Sequence, residues 1–364
     1  MTPHHGRRPS GVSRMVVKLG TTTVTGGAGH PEHARLTKIT EQIAELRRRD
    51  VSVVLVSSGA IAAGMTPLGL TRRPTDMPTL QAAAAVGQRR LMDFYAELFE
   101  PHGIPVAQVL LTQDDFVKRA HYVNARNTLG RLLELGAVPV VNENDTVAVE
   151  EIRYGDNDLL ASLVANMAHA GLVVMLSDVE GVFTSDPRQP GAELLAVLEE
   201  ITPELLRAAK RAGSPLGSGG MASKLEAARI ATLSGVGAVI ASGERDNVLL
   251  EIHEGAPVGT YFPPASKRTA ARKLWIAWAL PSRGKVLVDE GAKRALVDGN
   301  KSLLGAGVRS IEGAFQAGDA VEVVGPDGRP FAKGLVSFDS EILARLAGAR
   351  GGREVIHRDQ LVVL

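Results

Sequence analysis

The chain has 364 residues, 45% hydrophobic and 22% charged, enough for one sizeable core and a second, small domain. Its 41 basic and 40 acidic side chains leave a formal charge of +1, so global charge gives no attraction to nucleic acid or to an anionic membrane. Cysteine is absent, which excludes disulfides, thiolate metal sites and a cysteine nucleophile and suits a reducing, cytoplasmic setting.

The N-terminal stretch MTPHHGRRPSGVSR carries three arginines and no acid. No apolar h-region follows, so residues 1–14 read as a disordered tail and not as a signal peptide. No later run approaches the roughly 18 apolar residues of a spanning helix. The first predicted strand is MVVKLGTT (15–22), which brings Lys18 to a tip with Gly20 and Thr21 to Thr23. HARLTKITEQIAELRRRD follows, with Leu36, Ile39, Ile43 and Leu46 at helical spacing. VSVVLVSSGA (51–60) then places Ser57, Ser58 and Gly59 at a strand-to-helix turn. Free N–H groups there suit a carboxylate or phosphate, and a serine N-cap fits the same residues equally well.

PVAQVLLT (105–112) and AVPVVNEND (137–145) are the next strands. From Val141 to Ser162 the chain reads VNENDTVAVEEIRYGDNDLLAS, six acids and three asparagines against one arginine. A charge run is usually a solvated face. Here, however, Asn142 to Asp145 directly follow an apolar run and Gly155 to Asp158 directly precede the helical LLASLVANMAHA. The polar residues thus gather at a strand end and a helix start, where open α/β sheets place ligands. LVVMLSDVEG (172–181), GSGGMASK (217–224) and GAVIASG (237–243) complete the series. The GSGGMASK turn fits neither the Walker A spacing nor GxGxxG.

Strands alternating with Ala/Leu-rich helices predict an α/β fold, an open, mostly parallel sheet covered by helices on both faces, over residues 15–262. Pro263-Pro264 and the basic residues after them predict a linker over 263–274. Residues 275–364 read as a small, mostly β module of short strands punctuated by glycine. Two lysines on glycine-rich turns, serine-bearing loops and acids on one sheet edge suit phosphoryl transfer. That chemistry needs cations around the moving phosphoryl and backbone donors for the other phosphates.

VVKLGTT, VSSGAIAAG, VNENDTVA with GDND, LSDVEGVFTSDPR and GSGGMASK, in this order and spacing, resemble the amino acid kinase family, in particular its branch acting on the side-chain carboxylate of glutamate. VLVDEGAKRAL, KSLLGAGV, GAFQAGDAVEV and IHRDQL resemble a PUA domain. The resemblance implies ATP-dependent phosphorylation of L-glutamate, the first step toward proline, with ATP as co-substrate and Mg²⁺. It assigns Asp145 to the substrate ammonium, Ser58 and Asn157 to other substrate contacts, and Asn142 and Asp156 to their support. Lys18 and Lys224 match the phosphate-stabilising lysines, and Asp158 either positions them or binds Mg²⁺. Ser177, Asp178 and the loop of Ser218, Gly219, Gly220, Met221, Ala222, Ser223 and Lys224 match the nucleotide site. Proline as feedback inhibitor and a homo-oligomer are further expectations of the family. Two rival readings are a family member with a different carboxylate or carbamate acceptor, and an RNA-binding protein acting through the PUA-like module. From Trp275 to Leu364, 12 Lys and Arg face 11 Asp and Glu, and so even a balance lacks the electrostatic footprint of backbone-phosphate binding.

Overall fold

A computed structural model of the chain describes residues 8–25, 32–112, 114–147, 157–211, 220–266, 282–349 and 352–364, with single positions 273, 276, 277 and 280. The chain divides into two compact units, Met1–Arg268 and Thr269–Leu364.

The first unit is built on seven strands: β1 (Arg14–Leu19), β2 (Ser52–Ser57), β3 (Val106–Leu111), β4 (Val138–Glu143), β5 (Leu172–Ser177), β6 (Gly237–Ser242) and β7 (Thr260–Phe262). Their order across the sheet is β3-β4-β2-β1-β5-β6-β7. The first six run parallel, and β7 closes the edge antiparallel to β6. Continuous Val, Leu and Ile runs produce this because a parallel strand covered on both faces has no solvent side to make polar. Met15 to Val17, Val53 to Val56 and Leu172 to Leu176 are all buried.

Ten helices accompany the sheet among the described residues: α1 (Thr21–Thr25), α2 (His33–Arg48), α3 (Ala60–Met65), α4 (Met77–Phe99), α5 (Asp114–Val117), α6 (Arg119–Glu134), α7 (Asn157–Met167), α8 (Pro203–Arg211), α9 (Met221–Leu233) and α10 (Val248–His253). The apolar stripe read on α2 is buried as expected, with Leu36, Ile39, Ile43 and Leu46 in the main core. Helix α4 starts at Asp76, whose carboxylate accepts from Thr79 N at 3.0 Å, a side-chain N-cap followed by Pro78 in the first turn.

Sheet topology decides where a ligand can sit. From β1 the chain moves outward to β2, while β5 lies on the other side of β1. The connections leaving β1 and β5 therefore diverge, and a crevice opens at the carboxyl ends of these strands. Helix α3 leaves β2 through Gly59 at φ 101°, a left-handed turn that favours glycine. Helices α3 and α4 then approach at backbone contact. A Cβ on Gly87 would stand 1.7 Å from Ala60 O, and one on Gly64 1.8 Å from Ala83 O.

The N-terminal segment differs from its expected disorder from Arg8 onward. The Arg8 guanidinium donates to the carbonyls of Ala196 and Val258, each at 2.6 Å, of Gly259 at 2.9 Å and of Ala256 at 3.3 Å. Four donors in a planar fork satisfy edge carbonyls that composition alone gave no reason to pair. Residues 1–7 lie outside the described residues.

The second unit holds a five-stranded sheet in the order β10-β8-β11-β12-β14 and a two-stranded ribbon of β13 and β9. These are β8 (Gly284–Val288), β9 (Leu303–Leu304), β10 (Val308–Glu312), β11 (Ala320–Val324), β12 (Pro330–Leu335), β13 (Glu354–Ile356) and β14 (Leu361–Val363). Helices α11 (Glu290–Val297) and α12 (Ser340–Leu346) join them. Val286, Val321, Val323, Leu343 and Val355 form a core separate from that of the first unit.

The glycine contact between α3 and α4 gives a direct test. Gly87→Ala should destabilise the first unit by about 3 kcal/mol, because the colliding atom is backbone and cannot rotate away. Gly130→Ala in α6, where a Cβ meets nothing within 4 Å, should stabilise by about 0.5 kcal/mol. Thermal unfolding of the two variants checks both; an unchanged midpoint for Gly87→Ala would mean that the helices separate freely.

Candidate active site

Three charged side chains meet in the crevice between β1 and β5. Lys18, near the end of β1, places Nζ 2.5 Å from Asp158 Oδ1. Lys224, in the first turn of α9, places Nζ 3.2 Å from Asp158 Oδ2. All three are buried, and Asp158 has no exposed surface. Ser223 adds a long contact of 3.4 Å to Oδ2. Each carboxylate oxygen thus faces a different ammonium, and one carboxylate holds together a strand and a helix more than two hundred residues apart in sequence. Burying unpaired charge is prohibitive, so none of the three is tolerable there without the others. The remaining net positive charge suits anions.

Asp158 reaches this position because α7 begins at Asn157. Successive helical residues point about 100° apart, so Asn157 faces elsewhere. Its Nδ2 lies 2.9 Å from Ser57 O, 3.0 Å from Ser58 Oγ and 2.9 Å from Asn142 Oδ1. Asn142 in turn donates through Nδ2 to Gln88 Oε1 at 2.9 Å and accepts from Glu143 N at 2.8 Å. Ser57 Oγ and Tyr95 OH are 2.7 Å apart. Helix α7 is pinned to α9 by Ser162 Oγ, which donates to Ala227 O at 2.8 Å, so the amide cluster and the lysine pair belong to one rigid frame.

Two more carboxyls stand beside the amides. Burial lifts Glu143 to about 8, with the nearby Asp145 charge adding to the effect. Burial likewise lifts Asp145 to about 6, and the Arg73 guanidinium pulls it part of the way back. At neutral pH Asp145 is therefore ionised and Glu143 protonated. Glu143 also borders a small cleft lined by Leu111, Phe116, Asn157, Leu160 and Leu163.

On the other flank, Ser177 at the end of β5 donates through Oγ to Asp178 Oδ1 at 2.9 Å. Gly243 N donates to Ser177 O at 2.8 Å, tying the tips of β5 and β6 together. Helix α9 opens at Gly220 without a side-chain cap, so Met221 and Ala222 present first-turn N–H groups at the positive end of a helix dipole. A phosphate would be well placed there.

Of the residues expected from sequence, Lys18, Asp158 and Lys224 are brought into contact. Ser58, Asn142 and Asn157 form the amide cluster, with Asp145 beyond them on the β4 tip. Ser177, Asp178 and Gly220 to Ser223 sit at the ends of β5 and α9. Asp156, Ser218 and Gly219 lie outside the described residues. Gln88, Tyr95, Glu143 and Arg73 were missed. Gln88 and Tyr95 had a signal, since both are polar groups on the buried face of α4 alongside Leu91; Arg73, on the exposed stretch before α4, had none.

A charged pair of lysines locked by an aspartate at the switch point of a parallel sheet, with an uncapped helix end beside it, defines a class of phosphoryl-transfer enzyme. The chain belongs to the amino acid kinase family, whose model matches residues 13–242, and residues 284–357 match the PUA domain. The Glutamate 5-kinase of Pelobacter propionicus is 46% identical over 365 residues, covering 97% of this chain and 98% of its own. The Glutamate 5-kinases of Salinispora arenicola and Myxococcus xanthus are each 47% identical, over 98% and 96% of this chain and 99% and 96% of theirs.

The buried triad makes a stability prediction that is independent of activity. Asp158→Ala strands two ammoniums and should cost about 3–5 kcal/mol, whereas Lys18→Met/Asp158→Leu/Lys224→Met should recover most of that loss. Denaturant unfolding separates the outcomes: equal destabilisation of both variants would mean that the site resists refilling with apolar side chains.

Proposed function

We propose that the chain transfers the γ-phosphoryl group of ATP to the side-chain carboxylate of L-glutamate, giving L-glutamyl 5-phosphate and ADP, the first step of proline biosynthesis. The observation that carries this reading is the Lys18–Asp158–Lys224 bridge set directly beside the Asn157, Asn142 and Ser58 cluster. Cations stand where two anions must meet, and polar groups stand where an amino acid can be held by its other end. The names of the relatives agree with it.

The chemistry asks little of the protein beyond position and charge. A glutamate carboxylate is ionised at pH 7 and needs no general base. It attacks the γ-phosphorus in line, the new O–P bond forming as the bond to the β-phosphate oxygen breaks and ADP takes the electron pair. Lys18 and Lys224 offset the repulsion between carboxylate and triphosphate and the charge spreading over the equatorial oxygens. Asp158 acts in this reading as a positioning residue. It does not fit as a ligand of Mg²⁺, because each of its oxygens already faces an ammonium; Mg²⁺ enters with ATP, as part of the substrate. The N–H groups opening α9, with Ser177 and Asp178, receive the nucleotide. Asp145 pairs with the substrate ammonium. The family resemblance extends the reading to feedback inhibition by proline, to a homo-oligomer and to a cytoplasmic setting.

ADP release measured with L-glutamate, D-glutamate, L-aspartate and N-acetyl-L-glutamate tests the assignment, with hydroxylamine present to trap the acyl phosphate. L-Glutamate should be preferred and should yield glutamyl hydroxamate. Faster turnover of N-acetyl-L-glutamate would overturn it, since Asp145 would then face no cation.

Asp145 also gives the reaction a pH dependence. Its carboxyl titrates near 6 in the folded protein, so its charged form is lost as pH falls through that value. Apparent glutamate affinity should fall about tenfold per pH unit below pH 6 and level off above it, with the KM for ATP much less affected. In Asp145→Asn this slope should disappear. A slope that persists in the variant would assign the titration to another group.

A further inference from the structure

Resting on that reading of the substrate site, we propose that Gln88 is a positioning residue for the substrate amino group: it orients Asn142, and through it presents the carbonyl oxygen of Asn157 as an acceptor for an α-ammonium.

Two backbone atoms identify the oxygen and nitrogen ends of the three amides, and Gln88 holds Asn142 from its nitrogen side. The N–H of Glu143 can only donate, so the Asn142 atom 2.8 Å from it is the carbonyl Oδ1. Asn142 Nδ2 therefore faces Gln88, and the Gln88 atom 2.9 Å away is Oε1. The carbonyl of Ser57 can only accept, so the Asn157 atom 2.9 Å from it is Nδ2. That same nitrogen serves Asn142 Oδ1 and Ser58 Oγ. With its donor side committed to the protein, Asn157 offers its acceptor side to a ligand. An ammonium, with three donors and a charge that Asp145 complements, matches this; an acylated amine, with one N–H and no charge, does not.

Gln88 itself shows that its oxygen is what matters. Among the described residues its buried Nε2 finds no acceptor, a state that costs stability. Flipping the amide would not help, because it would set Nε2 against the Asn142 donor. An apolar side chain of equal length would remove that penalty but leave the buried Asn142 Nδ2 without its acceptor, so the cluster uses the oxygen of Gln88 and not its nitrogen. The residue is also held in place: Gly87, its neighbour, is pressed against the Ala60 carbonyl of α3. Two turns further along the same face of α4, Tyr95 supports Ser57. Helix α4 thus backs both strand tips that carry the amide cluster.

The test compares Gln88→Met, which keeps length but removes the strong acceptor, with Gln88→Glu, which keeps an acceptor oxygen. Steady-state kinetics with varied L-glutamate and varied ATP would be measured for both beside the wild type, with hydroxamate trapping and thermal unfolding. Gln88→Met should raise the KM for glutamate about tenfold, leave the KM for ATP within about twofold, and lower the unfolding midpoint only by the amount that loss of the single hydrogen bond to Asn142 explains. Gln88→Glu, whose buried carboxyl is held protonated and keeps an acceptor oxygen toward Asn142, should stay near the wild type in both constants. An unchanged glutamate KM in folded Gln88→Met overturns the proposal, as does equal impairment of both variants together with a lowered midpoint, which would mark a packing role. If the wild type forms no glutamyl hydroxamate, the reading of the substrate site fails first and the inference with it.

Discussion

One carboxylate shared by two lysines organises the first unit. Asp158 is completely buried, and so nearly are Lys18 and Lys224. A buried charge must be met by an opposite one in good geometry, so β1, α7 and α9 are obliged to converge at a single point. The cost of such an arrangement argues that it is kept for function and not for stability, since apolar side chains could fill the same volume more cheaply. It holds a pair of cations at a separation set in advance, which in the proposed function removes reorganisation from the moment of phosphoryl transfer.

The strand order then sorts chemistry to either side of that point. β2 and β4 lie on one side of β1 and deliver Ser57, Ser58, Asn142, Glu143 and Asp145; β5 and β6 lie on the other and deliver Ser177, Asp178 and Gly243. In the proposed reading the amides and carboxyls receive one substrate, the backbone donors and a helix terminus the other, and the lysines stand between. Asn157 and Asp158, adjacent in sequence, serve both sides because one helical step turns a side chain by about 100°.

Support for the substrate side comes from beneath it. Helix α4 can reach the strand tips only because glycines let it lie in backbone contact with α3. Its buried face mixes Leu91 with Gln88 and Tyr95, and the two polar residues are satisfied only by groups that the strands present. Rigid amides of this kind hold a ligand in one orientation, which in-line attack requires.

The alternation of apolar runs and helical stretches was enough to determine the α/β class, the parallel sheet and the separate β-rich module, because hydrophobic periodicity reports local burial directly. The gathering of Lys18, Lys224, Asp158, Asn142 and Asn157 at one sheet edge was legible for a related reason: polar residues at the ends of buried strands and at helix starts stand out against their surroundings. Three things were not legible. That both oxygens of Asp158 face lysines depended on where two residues distant in sequence ended. Gln88 and Tyr95 appeared as ordinary members of an Ala-rich helix until α4 was set against β2 and β4. The elevated titration of Glu143 and Asp145 depended on burial, offset in part at Asp145 by Arg73 from a different loop. Each of these is a property of pairs of atoms from separate elements, and local sequence patterns carry the identity of such partners only once the chain has folded and the low-dielectric interior has forced them together.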